Sequence, residues 1–275
     1  MSVKLGVCEW SLPLPGPYNC KMIAEFGLSG FLIDIGTYDR GYQLSNKTTQ
    51  KEYLDAAKQW GIEFPAMAVN DLNFYGMTSQ NGTENKEIAK MAIKKAIDAA
   101  NAMQIPAIYL PSFTISDIKT ENDFKLTVEC ISEACDYASD KSVIICTENA
   151  LSAEENIKLN KTVDRKNFKL YFDTQNPYLA KGYYVPDMIR KLAPYIYQVH
   201  VKDGRDGDLS GALLGTGTTS YYESMAALKE IGYSGWLVIE NYYPCKPLSN
   251  LNEDPYELLK EDIRILMKTV KDYFI

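Results

Sequence analysis

Four side chains of this sequence share one setting. Glu148, Asp173, His200 and Glu240 each stand at the end of a short apolar run of β type. His200 is the sole histidine of the chain. It lies in Ile196-Tyr-Gln-Val-His-Val-Lys-Asp203, directly ahead of the polar loop Asp203-Gly-Arg-Asp-Gly-Asp208. The four are separated by 25 (148 to 173), 27 (173 to 200) and 40 (200 to 240) residues. The first two gaps suit one strand–helix unit each, and the third suits a unit with a long loop at 203–219. Three carboxylates gathered around one imidazole would repel one another, and a divalent cation resolves that repulsion. Mixed oxygen and nitrogen donors suit Mn²⁺, Mg²⁺, Co²⁺ or Zn²⁺ and need no thiolate. The pattern therefore predicts one divalent metal ion held by Glu148, Asp173, His200 and Glu240.

Taken singly, each residue has a plainer use. A lone histidine is commonly satisfied by hydrogen bonds in a core. Glu148 and Glu240, each before an asparagine, could serve as loop or capping residues, and Asp173-Thr174 could open a turn. The joint pattern, with strand ends that meet, favours a metal over these separate uses.

Those ends meet if the elements form one parallel sheet. Strands are predicted at 3–8, 30–35, 62–69, 106–110, 142–147, 168–172, 196–202 and 236–239. Helices are predicted at 21–26, 48–60, 84–103, 121–138, 153–161, 185–192, 220–231 and 255–273. The clearest helix carries Ile88, Met91, Ala92, Lys95, Ala96 and Ala99 at a 3.6-residue period. The run Ser142-Val-Ile-Ile-Cys-Thr147 is continuously apolar, as buried parallel strands are. The 62–69 strand is predicted despite Pro65. Alternating strands and helices imply right-handed crossovers and a parallel sheet. Eight such units in about 250 residues match a closed (β/α)8 barrel of the TIM type, whose ligands bind at the carboxyl ends of the strands. No linker or compositional shift marks a boundary, so 1–275 is expected to be one domain. A doubly wound open sheet is the alternative, but no Gly-x-Gly-x-x-Gly follows the first strand. Gly215-Thr-Gly217 lies in a late loop and is too short to define a phosphate site.

Composition narrows the function. A formal charge of −7 and a pI near 5.0 give no basic face for a phosphate backbone, so no nucleic-acid partner is expected. No run reaches the ~18–20 apolar residues of a membrane span, and the first ten residues show no secretory pattern. The six cysteines are scattered and include no Cys-x-x-Cys, which fits reduced thiols in a cytoplasmic protein. A small-molecule substrate is expected, and the assembly is left open, a homo-oligomer included.

Several segments taken in order carry a family resemblance. They are Cys146-Thr-Glu-Asn149, Tyr171-Phe-Asp-Thr174, Gln198-Val-His-Val-Lys-Asp203, Leu214-Gly-Thr-Gly217 and Gly232-Tyr-Ser-Gly-Trp-Leu-Val-Ile-Glu240. The chain resembles the xylose isomerase-like (β/α)8 superfamily of sugar and sugar phosphate isomerases and epimerases. The resemblance covers nearly the whole chain and is strongest in its second half. In the ketose 3-epimerase-like members, a glutamate, an aspartate, a histidine and a second glutamate bind one divalent metal, and by position these map to Glu148, Asp173, His200 and Glu240. The resemblance further implies that the two glutamates exchange protons with a sugar or polyol. Two departures stand out. A histidine often found three residues after the aspartate is here Asn176, and an arginine expected soon after the metal histidine has only Arg205 nearby.

The implied reaction is proton transfer at a carbon α to a carbonyl, through an enediolate stabilised by the metal as Lewis acid. One of Glu148 and Glu240 would remove the proton and the other would return it. Lys202, two residues from His200 and so on its strand face, could bind a substrate oxygen or form a salt bridge inside the barrel. Glu9, Trp10, Asn70, Phe113, Asn176 and Arg205 are further candidates for substrate contact. A metal-dependent dehydratase of inosose or dehydroshikimate type would share the first chemical step. A barrel that binds a sugar without turnover is the non-enzymatic alternative.

Overall fold

The computed structural model describes residues 3–205 and 207–274. Eight strands, β1 (Lys4–Cys8), β2 (Gly30–Asp34), β3 (Met67–Ala68), β4 (Ala107–Ser112), β5 (Ile144–Asn149), β6 (Phe168–Asp173), β7 (Ile196–Val201) and β8 (Trp236–Ile239), pair in chain order. The order closes on itself, β8 returning to β1 with Lys4 opposite Trp236 and Val7 opposite Ile239. With helices between the parallel strands, the chain is a (β/α)8 TIM barrel. The helices are α1 (Asn19–Glu25), α2 (Lys47–Trp60), α3 (Glu84–Met103), α4 (Glu121–Tyr137), α5 (Ala153–Val163), α6 (Asn176–Lys181), α7 (Val185–Leu192), α8 (Tyr221–Glu230) and α9 (Pro255–Phe274). No helix among the described residues is long and apolar enough to cross a membrane.

Two elements depart from the sequence pattern. The expected 62–69 strand shrinks to the two residues of β3, preceded by a single bridge between Gly30 and Glu63. Pro65 has no N–H to give to a ladder, so pairing lapses between those two points. Helix α6 is additional. It is a short turn of helix with Pro177 near its start and Gly182 in the left-handed conformation behind it, φ 68°. Proline first and glycine last is the ordinary signature of helix ends.

By density of contacts the chain divides into two compact units. One takes in the stretch up to Leu32, Ala56–Glu63 and the chain from Phe172 onward; the other takes in Ile33–Asp55 and Phe64–Tyr171. The first unit is built on β1, β7 and β8, with Val199 opposite Leu237 and Val201 opposite Ile239. Its core includes Val7, Val199, Val201, Leu237, Val238 and Ile239, all fully buried. Gly30 is required there by close packing: a Cβ would stand 2.3 Å from the ring of Trp236. The second unit is built on β3, β4 and β5. Its β4–β5 ladder runs from Ala107 opposite Ile144 to Ser112 opposite Asn149. Thr120 and Ser152 start α4 and α5 with reciprocal capping boxes, each closing two otherwise unsatisfied backbone donors.

Candidate metal centre

The geometry begins at the carboxyl end of β6. Asp173 is the last residue of that strand and is buried. Its Oδ1 accepts the backbone N–H of Gln175 at 2.7 Å and of Asn176 at 2.5 Å, an Asx-type turn that leads into α6. That fixes the side chain and turns Oδ2 toward the Lys202 Nζ, 3.2 Å away.

Strand β7 supplies His200 and, one residue past its end, Lys202. Alternation puts both on the same face, and both are buried. Thr174 ties them to β6. Its N–H donates to the His200 carbonyl at 3.1 Å, its hydroxyl donates to the Lys202 carbonyl at 2.8 Å, and it accepts the Lys202 N–H at 2.9 Å. The Lys202 ammonium also lies 3.3 Å from Asn176 Oδ1 and 5.6 Å from the ring centre of Tyr242.

Glu240 directly follows β8 and is 3% exposed. Its Oε1 accepts the Trp10 indole N–H at 2.9 Å. Its Oε2 lies 2.6 Å from Lys202 Nζ and 3.3 Å from His200 Nδ1. Burial pushes the carboxyl upward, and the charges of His200 and Lys202 with the hydrogen bonds from Lys202 and Trp10 more than offset it. The pKa therefore lies below the usual glutamate value. The next residue, Asn241, faces the other way and donates to Asp262 of α9 at 2.6 Å. An Asn after the acid is thus the outward-facing anchor, while the acid itself is turned inward. The same division holds at β5. Asn149 donates to Asn156 of α5 at 2.9 Å, and Glu148, one position earlier and so on the opposite face, is 2% exposed.

Asp173, His200 and Glu240 each offer one donor atom, and these lie within 4.8 Å of one another. Atoms that close, with carboxylate and imidazole chemistry, are a donor set that one divalent ion could share. Two carboxylates and an imidazole, buried together beside an ammonium, fit a hard or borderline divalent cation. Bound there, it would be held by these three side chains.

The other sequence candidates fall into distinct places. Trp10 reaches Glu240, and its ring meets that of His200 edge-on with centroids 6.0 Å apart. Asn176 reaches Lys202. Glu9 is buried, and its Oε1 accepts the Gly16 N–H at 3.1 Å, holding the proline-rich bend after β1. Arg205 is exposed, and its guanidinium donates to the Thr216 carbonyl within its own loop. In the second unit Asn70 gives its backbone N–H to Asp34 at 3.1 Å, and Phe113 directly follows β4. One residue at the site escaped the sequence pattern: Cys8, the last residue of β1, whose Sγ lies 3.5 Å from His200 Nε2. In the sequence it is one of six scattered thiols, at the end of a predicted strand, and its partner is 192 positions away.

The chain belongs to the xylose isomerase-like TIM barrel family, whose model matches residues 20–269. It is 27% identical over 230 residues to the 2-epi-5-epi-valiolone 7-phosphate 2-epimerase of an Actinoplanes species, covering 83% of each chain. Its fold is similar to that of the D-psicose 3-epimerase of Clostridium cellulolyticum solved with D-tagatose. The TM-score is 0.77 at 18% identity, over 98% of this chain and 99% of that one. It is equally similar to the IolI protein solved with a zinc atom, with a TM-score of 0.77 at 17% identity over 98% and 99% of the two chains. At those identities the two structures establish the fold alone.

Proposed function

We propose that this chain, as one barrel domain, is a divalent-metal-dependent isomerase or epimerase acting on a sugar, sugar phosphate or cyclic polyol ketone. The observation that carries the reading is the buried convergence of Asp173, His200 and Glu240 with Lys202 at the carboxyl ends of β6, β7 and β8. Membership of the family and the likeness to the Actinoplanes epimerase support it. Glu148, buried at the end of β5, is proposed as the fourth metal ligand. Bound at this site, a divalent ion supplies Lewis-acid polarisation of a carbonyl and its neighbouring hydroxyl.

The side chains do the rest. Glu240 is held ionised, as a base must be, and its two fixed hydrogen-bonding sides aim it. Glu240 and Glu148 are the proposed pair that removes and returns the proton on the carbon α to the carbonyl. Lys202, anchored through Thr174, presents an ammonium to a substrate oxygen, and Asn176 orients it. Trp10 borders the site and can stack on a sugar ring face. Glu9, Asn70, Phe113 and Arg205 stay as proposed outer contacts.

The test is incubation with Mn²⁺ and a panel of keto sugars, their phosphates and cyclic polyol ketones in D₂O. Deuterium entering α to the carbonyl, with a new epimer or isomer and no loss of water, is the expected result. Loss of water would instead establish a dehydratase. No exchange with any member, with the metal bound, would favour a sugar-binding barrel without turnover. His200→Ala should weaken Mn²⁺ binding by at least 10-fold; unchanged metal content and turnover would refute the metal assignment.

A further inference from the structure

We infer that Cys8 is a positioning residue for His200: its sulfur holds Nε2, so that Nδ1 is the nitrogen the imidazole presents to a metal. This inference rests on the metal reading above and adds to it which ring atom is used and what fixes the ring.

The two nitrogens of His200 look in different directions. Nδ1 is 3.3 Å from Glu240 Oε2, on the side where that oxygen also meets Lys202 and where Asp173 Oδ2 lies. Nε2 is 3.5 Å from Cys8 Sγ, on the side of β1. The cluster of donors therefore faces Nδ1. An imidazole that ligates through one nitrogen normally donates the N–H of the other to a fixed acceptor, and this sets tautomer and orientation. The acceptor is usually a carboxylate, a carbonyl or water; here the residue in that place is a thiol, a weaker and softer acceptor.

The end of β1 is built for this task. Strand β1 pairs with β8 and β8 with β7, so Cys8 reaches across β8 to the ring on β7. Cys8 and His200 are both fully buried, which keeps water from replacing either partner. Two residues on, Trp10 lays its ring edge-on to the same imidazole at an interplanar angle of 84° and binds Glu240 through its indole N–H. The segment Cys8-Glu-Trp10 thus sets the orientation of one proposed ligand and restrains another. The sulfur also belongs to a second group of possible donors, with His200 and Glu240, in which the atoms again lie within 4.8 Å. That sharpens the alternative: the thiol could bind the metal itself. The direction of the ring argues against it, because a metal on the Nδ1 side leaves the sulfur on the far nitrogen.

A single histidine makes the test direct, since ¹⁵N-histidine labelling yields one imidazole and no assignment problem. Long-range ¹H–¹⁵N spectra are recorded on the full chain without metal and with ¹¹³Cd²⁺. The expected result is cadmium coupling on Nδ1 and a retained proton on Nε2. Cys8→Ser should keep both features. Cys8→Ala should move the Nε2 resonance and weaken cadmium binding about 10-fold. Coupling on Nε2, or a thiolate-to-cadmium absorption band that disappears in Cys8→Ala, would make Cys8 a ligand and overturn the inference while leaving the metal reading intact. An Nε2 resonance and a cadmium affinity both unchanged in Cys8→Ala would overturn it as well. Absence of any cadmium effect on His200 in the wild type would instead refute the metal reading and the role of Nδ1 with it. In that case a shift of Nε2 between the metal-free wild type and Cys8→Ala would still record the contact.

Discussion

Carboxylates close strands in both compact units, yet they are used differently. In the second unit Asp34 ends β2, and its two oxygens accept the backbone N–H groups of Gly36 at 2.7 Å and Asn70 at 3.1 Å. Asp71, just beyond β3, accepts the N–H of Tyr38 at 2.9 Å. In the first unit Glu240 faces an indole N–H, an ammonium and an imidazole. Asp173 combines the two uses, with one oxygen on backbone and one on Lys202. A strand-end acid bonded to backbone has given its lone pairs to the turn. One bonded to side-chain groups keeps a donor set that a ligand can take over. Position alone does not separate them; the partner does.

Four substitutions would break or sharpen that contrast. The largest effect is expected for Glu240→Gln, which keeps the shape but removes the proposed base and turns an amide NH₂ toward one of its two donors. Turnover should drop by about 10²–10⁴-fold in a variant that still folds but melts lower, because a buried charge partner of Lys202 is lost; a drop of less than 10-fold would remove Glu240 from the proton-transfer step. Next is Lys202→Met, which strips the cation from two buried carboxylates. Without metal, stability should fall by about 3–5 kcal/mol in denaturant unfolding, and added Mn²⁺ should restore much of it. If Mn²⁺ restored nothing, the carboxylates would not form a cation site.

Asp71→Ala probes the other class. It leaves the Tyr38 N–H without its acceptor and should cost about 1–3 kcal/mol, with Mn²⁺ affinity unchanged by titration calorimetry. The last test concerns Asp262, an acid of α9 that anchors Asn241 and accepts the Leu214 N–H at 2.7 Å and the Tyr243 hydroxyl at 2.6 Å. Burial raises its pKa from 3.8 to about 7 despite these donors. The folded protein thus holds a proton that the unfolded chain has released. The stability this contributes is full below about pH 4 and is lost as pH rises to about 7. Subtracting the melting curves of Asp262→Asn from wild type across that window should show a difference that grows with pH in favour of the variant. A flat difference would show that Asp262 stays ionised throughout.

Much of the barrel was legible along the chain. Continuous apolar runs such as 142–147 mark strands buried on both faces, and the period of 84–103 marks its helix to the residue. Failure came where a local feature overrode the run. Pro65 reduced a predicted eight-residue strand to the two residues of β3, because a ladder needs an N–H that proline lacks. The short α6 has no apolar period to mark it, although Pro177 and Gly182 are the start and stop signals of a helix. At the site, strand-end position and residue type were enough to single out Asp173, His200 and Glu240. They did not tell which neighbour each would meet.

That difference has a physical cause. A side chain's face on a strand follows from alternation and the register of its own run, so the sequence by itself determined the (β/α)8 order, the acids and the imidazole at strand ends, and Lys202 beside His200 on one face. Distances between residues far apart in the chain depend on how separate strands pair and close. Only the tertiary structure decided that Lys202 bridges Asp173 and Glu240, that Trp10 holds Glu240, and that the sulfur of Cys8 sits on the far nitrogen of the one histidine.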